Sequence, residues 1–369
     1  MIDRRLLTHI NWPFFGLTIL LLAVGVLNLY SASAVRIEGG LSLDSYYQRQ
    51  MVWGGVGMAC MVLVMAFDYR HLRDAAWPIY WTAIAMLVAV YFFGRSISGA
   101  RRWLDFGLLN VQPSELAKIA ILLIGAKLIA RQEGHYDWPA LGRILGVVVL
   151  PALLIFKQPD LGSGLTLFMI LGGMLLVKGV SGRILKFLIL VVPAVLPFTW
   201  FFLHDYQKAR IMTFLNPGRD PLGAGYHIIQ SQIAIGSGEM WGKGFMEGTQ
   251  GMLSFLPEKH TDFAFAVLGE EWGFMGAMIL LSIFCAFLYQ IYLVAVDAKD
   301  EFGRYLAVGV FFYFFLQIFI NIGMVLGLMP VVGIPLPFIS YGGSAAVVNF
   351  CLIGLVLNVS MRRFMFKKG

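Results

Sequence analysis

Ten stretches of this sequence are apolar for long enough to cross a bilayer as helices. A helix needs about 20 such residues to span about 30 Å of hydrocarbon. The runs fall at roughly 12–32, 50–67, 75–93, 113–130, 140–157, 161–178, 184–203, 264–296, 305–328 and 344–361. Composition agrees: 59% of the 369 residues are hydrophobic and only 13% charged. That is about half the charge of a soluble domain, and no single soluble core of this length hides so much apolar surface. The pattern predicts an all-α integral membrane protein, a single polytopic domain over 1–369 with about ten transmembrane helices. It excludes a soluble enzyme, a disordered chain and a nucleic-acid-binding module, despite a net charge of +7. The membrane is a partner; nucleic acid is not.

Cys60, Cys285 and Cys351 all lie within apolar runs, so neither a disulfide framework nor a thiolate metal site is indicated. The first apolar run, Pro13 to Tyr30, is longer than the 7–15 residues of a signal-peptide core. It reads as an uncleaved span. With the N-terminus placed inside, sixteen of the 28 Lys and Arg residues fall on inner segments, among them Arg70, Arg73, Arg131, Arg143, Arg183, Lys186, Arg304 and Arg362. Both termini then face the cytoplasm by the positive-inside rule. Arg95, Arg101, Arg102, Lys118 and Lys157 oppose that signal. They either snorkel to lipid phosphates or serve a site.

A long outer loop, 204–262, joins the seventh and eighth runs. Within it YHIIQSQIAI sets Tyr226, Ile229 and Ile233 at helical spacing, which predicts a short amphipathic helix at the membrane surface. A glycine-rich stretch, GSGEMWGKGFMEGTQG, follows. A long ordered loop at a membrane face is usually functional. The segment PVVGIPLPFISYGGS, Pro330 to Ser344, carries too much Pro and Gly for a simple turn and reads as irregular backbone lining a cavity.

Charges within or against the spans are functional candidates by default. Glu115 and Lys118 are three apart and share a helix face; they form a structural pair or part of a site. Asp160, in KQPDLGSG, caps the sixth helix, a duty compatible with chemistry. Asp262 ends LPEKHTD, crowded with Glu258, Lys259 and His260 at the mouth of the eighth span. It either caps that helix or acts as general base or metal ligand. Glu270 and Glu271 lie about 12–13 Å farther along if the helix is continuous, and read first as structural. As one helix, Phe263 to Val296 would measure about 51 Å, more than the membrane needs. The glycines around Lys243 make no phosphate loop. His204, His227 and His260 lack metal-ligand spacing, and no G-x-S-x-G elbow occurs. What remains is an outer cavity with one strong carboxylate and surrounding cations, suited to an anionic head group such as a lipid pyrophosphate.

GARRWLDFG (99–107), QPSELAKIA (112–120), QPDLGSG (158–164), DPLGAGYHIIQSQIAIGSG (220–238), FLPEKHTDFAFAVLGEEWG (255–273) and PLPFISYGGSA (335–345) together resemble the SEDS family over nearly the whole chain. The short length, DYQKAR at 205–210 and minimal tails are most similar to the elongation member of that family. The resemblance implies a peptidoglycan glycosyltransferase that polymerises lipid II at the outer face of the bacterial cytoplasmic (inner) membrane, for cell-wall elongation and rod shape. It implies that Asp262 is the essential catalytic residue, that Glu115, Lys118 and Asp160 line its cavity, and that Arg102 is the arginine of the RW motif. No role passes to Arg101. Glu239 stands where relatives often have Gly, and Lys259 where they often have Arg, which loses a bidentate fork but keeps the charge. Arg102, Lys118, Lys259 or a divalent cation, magnesium or manganese, would then meet the departing pyrophosphate, with His260 a further substrate contact. No organic cofactor is implied. The implied partners are lipid II, the growing glycan strand, a class B penicillin-binding protein (the transpeptidase) and rod-complex cytoskeletal proteins. A lipid II flippase and a non-catalytic scaffold are the competing readings.

Overall fold

The computed structural model describes residues 9–37, 40–43, 45–97, 100–105, 107, 110–203, 205–219, 224–252, 256 and 258–363. His204, the 220–223 stretch and most of 253–257 lie outside them, as do Gly99, Arg4 and Arg5.

Every one of the ten apolar runs coincides with a helix. They are α1 (Trp12–Ala32), α2 (Tyr46–Ala66), α3 (Tyr69–Phe93), α4 (Pro113–Arg131), α5 (Trp138–Lys157), α6 (Leu161–Lys178) and α7 (Gly182–Thr199). The outer loop holds α8 (Asp205–Leu215), α9 (Ala224–Ser237) and α10 (Thr249–Met252). After it come α11 (Ala264–Val296), α12 (Glu301–Val325) and α13 (Gly343–Arg362). Among the described residues, eight helices are long and apolar enough to cross a membrane. The protein is an all-α, multi-pass membrane protein.

The fourth run is interrupted by charge for a physical reason: α4 is buried all round rather than lipid-facing, so Glu115, Lys118 and Lys127 sit against protein. It packs between α3, α6 and α12. By contrast, α7 keeps Ile189 and Leu190 exposed along its length, as a peripheral helix in hydrocarbon does.

Small strands cover one end of the bundle, a feature absent from the sequence reading. β1 (Ala34–Ile37) pairs with β2 (Gly40–Leu43), and β3 (Arg95–Ile97), β4 (Ala100–Asp105) and β5 (Asn110–Val111) form an antiparallel sheet. Arg95 pairs with Asp105 at 2.8 Å across it. Ser344 Oγ donates to the Asn110 carbonyl at 2.8 Å, which ties this sheet to the start of α13.

The amphipathic helix of the loop forms as predicted, but it buries the other face. Ile228, Ser231 and Ala234 are buried while Ile233 is exposed. Ser231 Oγ donates to the Val325 carbonyl at 2.9 Å, and small residues there let α9 close on α11 and α12. The helix is docked on the bundle rather than merely floating at the surface.

Two irregular features position the site. The segment 330–342 threads between helices: a Cβ on Gly25 of α1 would meet the Phe338 carbonyl oxygen at 2.0 Å, and one on Gly162 of α6 would meet that of Val332 at 2.6 Å. Helix α11 is not continuous either. It breaks at Gly273 (φ 62, ψ −161), and the glycine-rich loop fills the gap. The N–H groups of Lys243 and Gly244 donate to the carbonyls of Glu270 and Glu271, each at 3.0 Å. Those of Phe274 and Met275 donate back to Glu239 at 2.8 Å and Met240 at 3.1 Å.

Candidate active site

Asp262 sits in a tight turn before α11. The Glu258 carbonyl accepts from the N–H of Thr261 at 3.0 Å and of Phe263 at 3.3 Å. Thr261 Oγ1 also donates to Glu258 Oε2 at 3.0 Å. Phe263, not Asp262, holds the N-cap position of α11, and no side chain caps it. The capping reading of Asp262 therefore fails, and its carboxylate is available for chemistry. Asn28 of α1 donates to the Ala264 carbonyl at 2.9 Å and holds the helix start. Buried Asn321 of α12 donates to the Asp262 carbonyl at 3.0 Å and to that of Ile334 at 2.8 Å. At Gly333 (φ 76), a Cβ would stand 3.7 Å from Asp262 Oδ2.

Burial pushes the Asp262 carboxyl up to about 6, and the Glu258 and Asp160 carboxylates push the same way. Arg210 and Arg102 pull it back. A carboxyl so placed can take or hold a proton near neutral pH.

Arg102 is fastened over the QPD turn. Its Nε donates to the Gln158 carbonyl at 3.1 Å, an Nη donates to that of Pro159, and another Nη lies 4.0 Å from Asp160 Oδ2. Asp160 accepts from the N–H of Ser163 at 3.1 Å, so it caps α6 as expected while staying within the field of Asp262.

Glu115 and Lys118 pair at 2.6 Å, both buried, with Lys118 Nζ 5.8 Å from the Tyr313 ring centroid. The charges that act most on Asp262 are instead Glu258, Arg210, Arg102 and Asp160. Buried Lys259 turns its ammonium to the carbonyls of Gly251 at 2.6 Å and Ala34 at 3.2 Å. It fastens the loop to the end of α1 and lies within the field of the buried Glu271 carboxylate. His260 stacks on Tyr46, ring centroids 4.2 Å apart, with Tyr341 edge-on to Tyr46.

Glu270, fully buried, takes Lys243 Nζ at 2.6 Å and the N–H of Gln250 at 3.0 Å. Glu271 accepts from Ser31. Both are structural, as read from the sequence. Sequence reasoning missed Arg210, although DYQKAR already stood out, and Asn321, one neutral amide in an apolar helix.

No group of three His, Cys, Asp or Glu residues is gathered for a metal ion among the described residues. A single carboxylate such as Asp160 is the hard oxygen donor that magnesium accepts together with substrate phosphates.

The family described as "Cell cycle protein", comprising FtsW, RodA and SpoVE, matches residues 11–364. The chain belongs to this SEDS family. It is similar to the peptidoglycan glycosyltransferase MrdB of Escherichia coli K12, at 42% identity covering 95% of each chain. The probable peptidoglycan glycosyltransferase FtsW of Geobacter metallireducens is 39% identical, covering 94% of this chain and 95% of that protein. Among solved structures, a chain of a peptidoglycan synthase complex that coordinates polymerization and crosslinking superposes with a TM-score of 0.83, at 30% identity, covering 96% of this chain and 98% of that one. The rod shape-determining protein RodA of Thermus thermophilus superposes with a TM-score of 0.71, at 28% identity and the same coverage.

Proposed function

We propose that this chain is a peptidoglycan glycosyltransferase that joins lipid II units into glycan strands for cell-wall elongation, releasing undecaprenyl pyrophosphate. The observation that carries it is Asp262: a carboxylate raised to about 6, freed from capping and within the field of Arg102 and Arg210, in a chain that aligns over 94–95% of its length with named peptidoglycan glycosyltransferases.

The acceptor 4-hydroxyl of lipid II is a poor nucleophile until a base removes its proton. Asp262 is that base. The freed oxygen attacks the anomeric carbon of the growing strand from the face opposite its pyrophosphate. The bond to pyrophosphate breaks as the new glycosidic bond forms, and the carbon inverts through an oxocarbenium-like state. Charge then develops on the departing pyrophosphate, where the guanidinium groups of Arg102 and Arg210 stabilise it. A magnesium or manganese ion bound to the substrate pyrophosphate, with Asp160 as a hard oxygen donor, would supply further charge neutralisation there. The lipid tails stay in the bilayer throughout, which accounts for a polymerase built of membrane helices.

The inner-segment basic residues support a cytoplasmic (inner) membrane location with both termini inside and Asp262 outside. A class B penicillin-binding protein and rod-complex proteins belong to the same proposal. The test is direct. Purified protein with its transpeptidase partner, given lipid II and magnesium, is expected to make glycan polymer; translocation of lipid II without polymer would favour a flippase instead.

The pH dependence follows from the charges. An ionised Asp262 is the active form, so the initial rate of polymerisation should rise with pH through a midpoint of about 6. Glu258→Gln removes a like charge, eases ionisation and moves that midpoint down. A midpoint unmoved by this change rules out Glu258 as a neighbour of the base.

A further inference from the structure

Three consecutive residues of the irregular segment, Val332, Gly333 and Ile334, touch both acidic elements of the site. The Val332 carbonyl lies against the first turn of α6, where Gly162 leaves room for it, two residues from Asp160. Gly333 lies beside Asp262 Oδ2. The Ile334 carbonyl accepts from Asn321, whose same amide also donates to the Asp262 carbonyl. The spacing between the Asp262 turn and the Asp160 turn is thus set by one short strap, and Asn321 is the pin that fixes the strap to the Asp262 turn.

Stability alone does not account for an asparagine at this position. The side chain is fully buried and its Oδ1 has no hydrogen-bond partner among the described residues. An orphaned buried acceptor is costly, and leucine would fill a similar volume without it. What leucine cannot do is hold two carbonyls from different segments together. From this geometry we infer that Asn321 is a positioning residue for Asp262, holding its turn against the 332–334 strap so that the carboxylate keeps its distance from Asp160 and its partial shelter from water. The inference rests on Asp262 being the base, and it adds a group that touches no substrate.

Asn358 provides an internal comparison. Near the far end of α13 its amide bridges two carbonyls in the same way, those of Val64 at 2.6 Å and Phe67 at 2.5 Å. Asn321→Leu and Asn358→Leu therefore remove the same pair of donor bonds at different places, and the second also removes the bond that Asn358 Oδ1 accepts from Arg362. The experiment measures polymerisation by the full-length protein with its transpeptidase partner, as kcat, KM for lipid II and the pH–rate midpoint, together with thermal stability. For Asn321→Leu, kcat is expected to fall by about 10²-fold, as for a reacting group displaced by about 1 Å. KM should stay within about twofold, since a lost transition-state contact lowers kcat and leaves binding. The midpoint should drop from about 6 toward the ordinary carboxylate range as water reaches Asp262. Asn358→Leu should lose at least as much stability while keeping the wild-type midpoint. Asn321→Ser, which keeps one donor, should show the same midpoint shift to a smaller extent and carries the test if the leucine variant does not fold. Unchanged kcat and midpoint in the Asn321 variants, with Asp262→Asn inactive, overturn the positioning role alone. An active Asp262→Asn overturns the base assignment and this inference with it.

Discussion

Asp262→Asn is expected to lower polymerisation by about 10²–10⁴-fold, the range for removing a positioned general base, while the protein folds and inserts normally. The amide is nearly the same size and keeps the backbone bond that Asn321 makes to the Asp262 carbonyl. It cannot accept the 4-hydroxyl proton. Stability supplies an independent readout from the same variant. The folded-state pKa of Asp262 lies above its unfolded value, so folding favours the protonated form. The stability this contributes is fully present below about pH 4, near the unfolded value, and is lost as pH rises through about 6. Asparagine carries no such loss. Melting curves in detergent should therefore match at low pH and separate at pH 7 to 8, with the variant the more stable. Dead enzyme with raised neutral-pH stability is the signature of a carboxylate kept for function at a cost to the fold. Substantial polymer from the folded variant would sink the base assignment.

The bundle was legible because hydrocarbon imposes a length on each span, and apolar runs of that length have few other uses. Even α4, charged at both ends, could be read as a helix. Asp262 was legible for a related reason: in a chain with so little charge, a carboxylate delivered to a span by an ordered loop stands out. The partners of that carboxylate were harder to see. Lys259 and His260 adjoin it in sequence, yet a tight turn sends one to the carbonyls of Gly251 and Ala34 and the other onto Tyr46. Arg210, 52 positions upstream, acts on it instead. Turn geometry, not proximity in sequence, decides which charges meet. The short strands at 34–43 and 95–111 were invisible because they have few residues and weak alternation, and become pairs only when the helix ends hold them close.

Gly273→Ala should cost the protein its folded state, or at least several kilocalories per mole of it, although the change adds one methyl group in the middle of an apolar run. The residue lies at φ 62, ψ −161, a region open essentially to glycine alone. Occupying it with a Cβ costs about 1–3 kcal/mol in backbone strain. The new atom would also stand 2.3 Å from the Gly242 nitrogen, 2.8 Å from the Gly238 oxygen and 2.9 Å from the Met240 carbonyl carbon. All three are backbone atoms of the loop that plugs the break, so no side chain can swing aside. Overpacking of this kind costs about 1–3 kcal/mol more. If the loop retreats, the bonds it exchanges with Glu270, Glu271, Phe274 and Met275 are lost inside the bundle, where unpaired backbone groups are expensive. A helix that simply straightened would have no place for the loop, whose Lys243 also neutralises buried Glu270. Gly16→Ala in α1 and Gly172→Ala in α6 are the comparison, since nothing lies within 4 Å of a Cβ at either position. Those changes should be neutral or stabilising by about 0.5–1 kcal/mol, as for glycine to alanine in a helix. Size-exclusion profiles and melting points in detergent distinguish the cases, and a Gly273→Ala protein that is monodisperse and melts with wild type would show that the loop does not depend on this break.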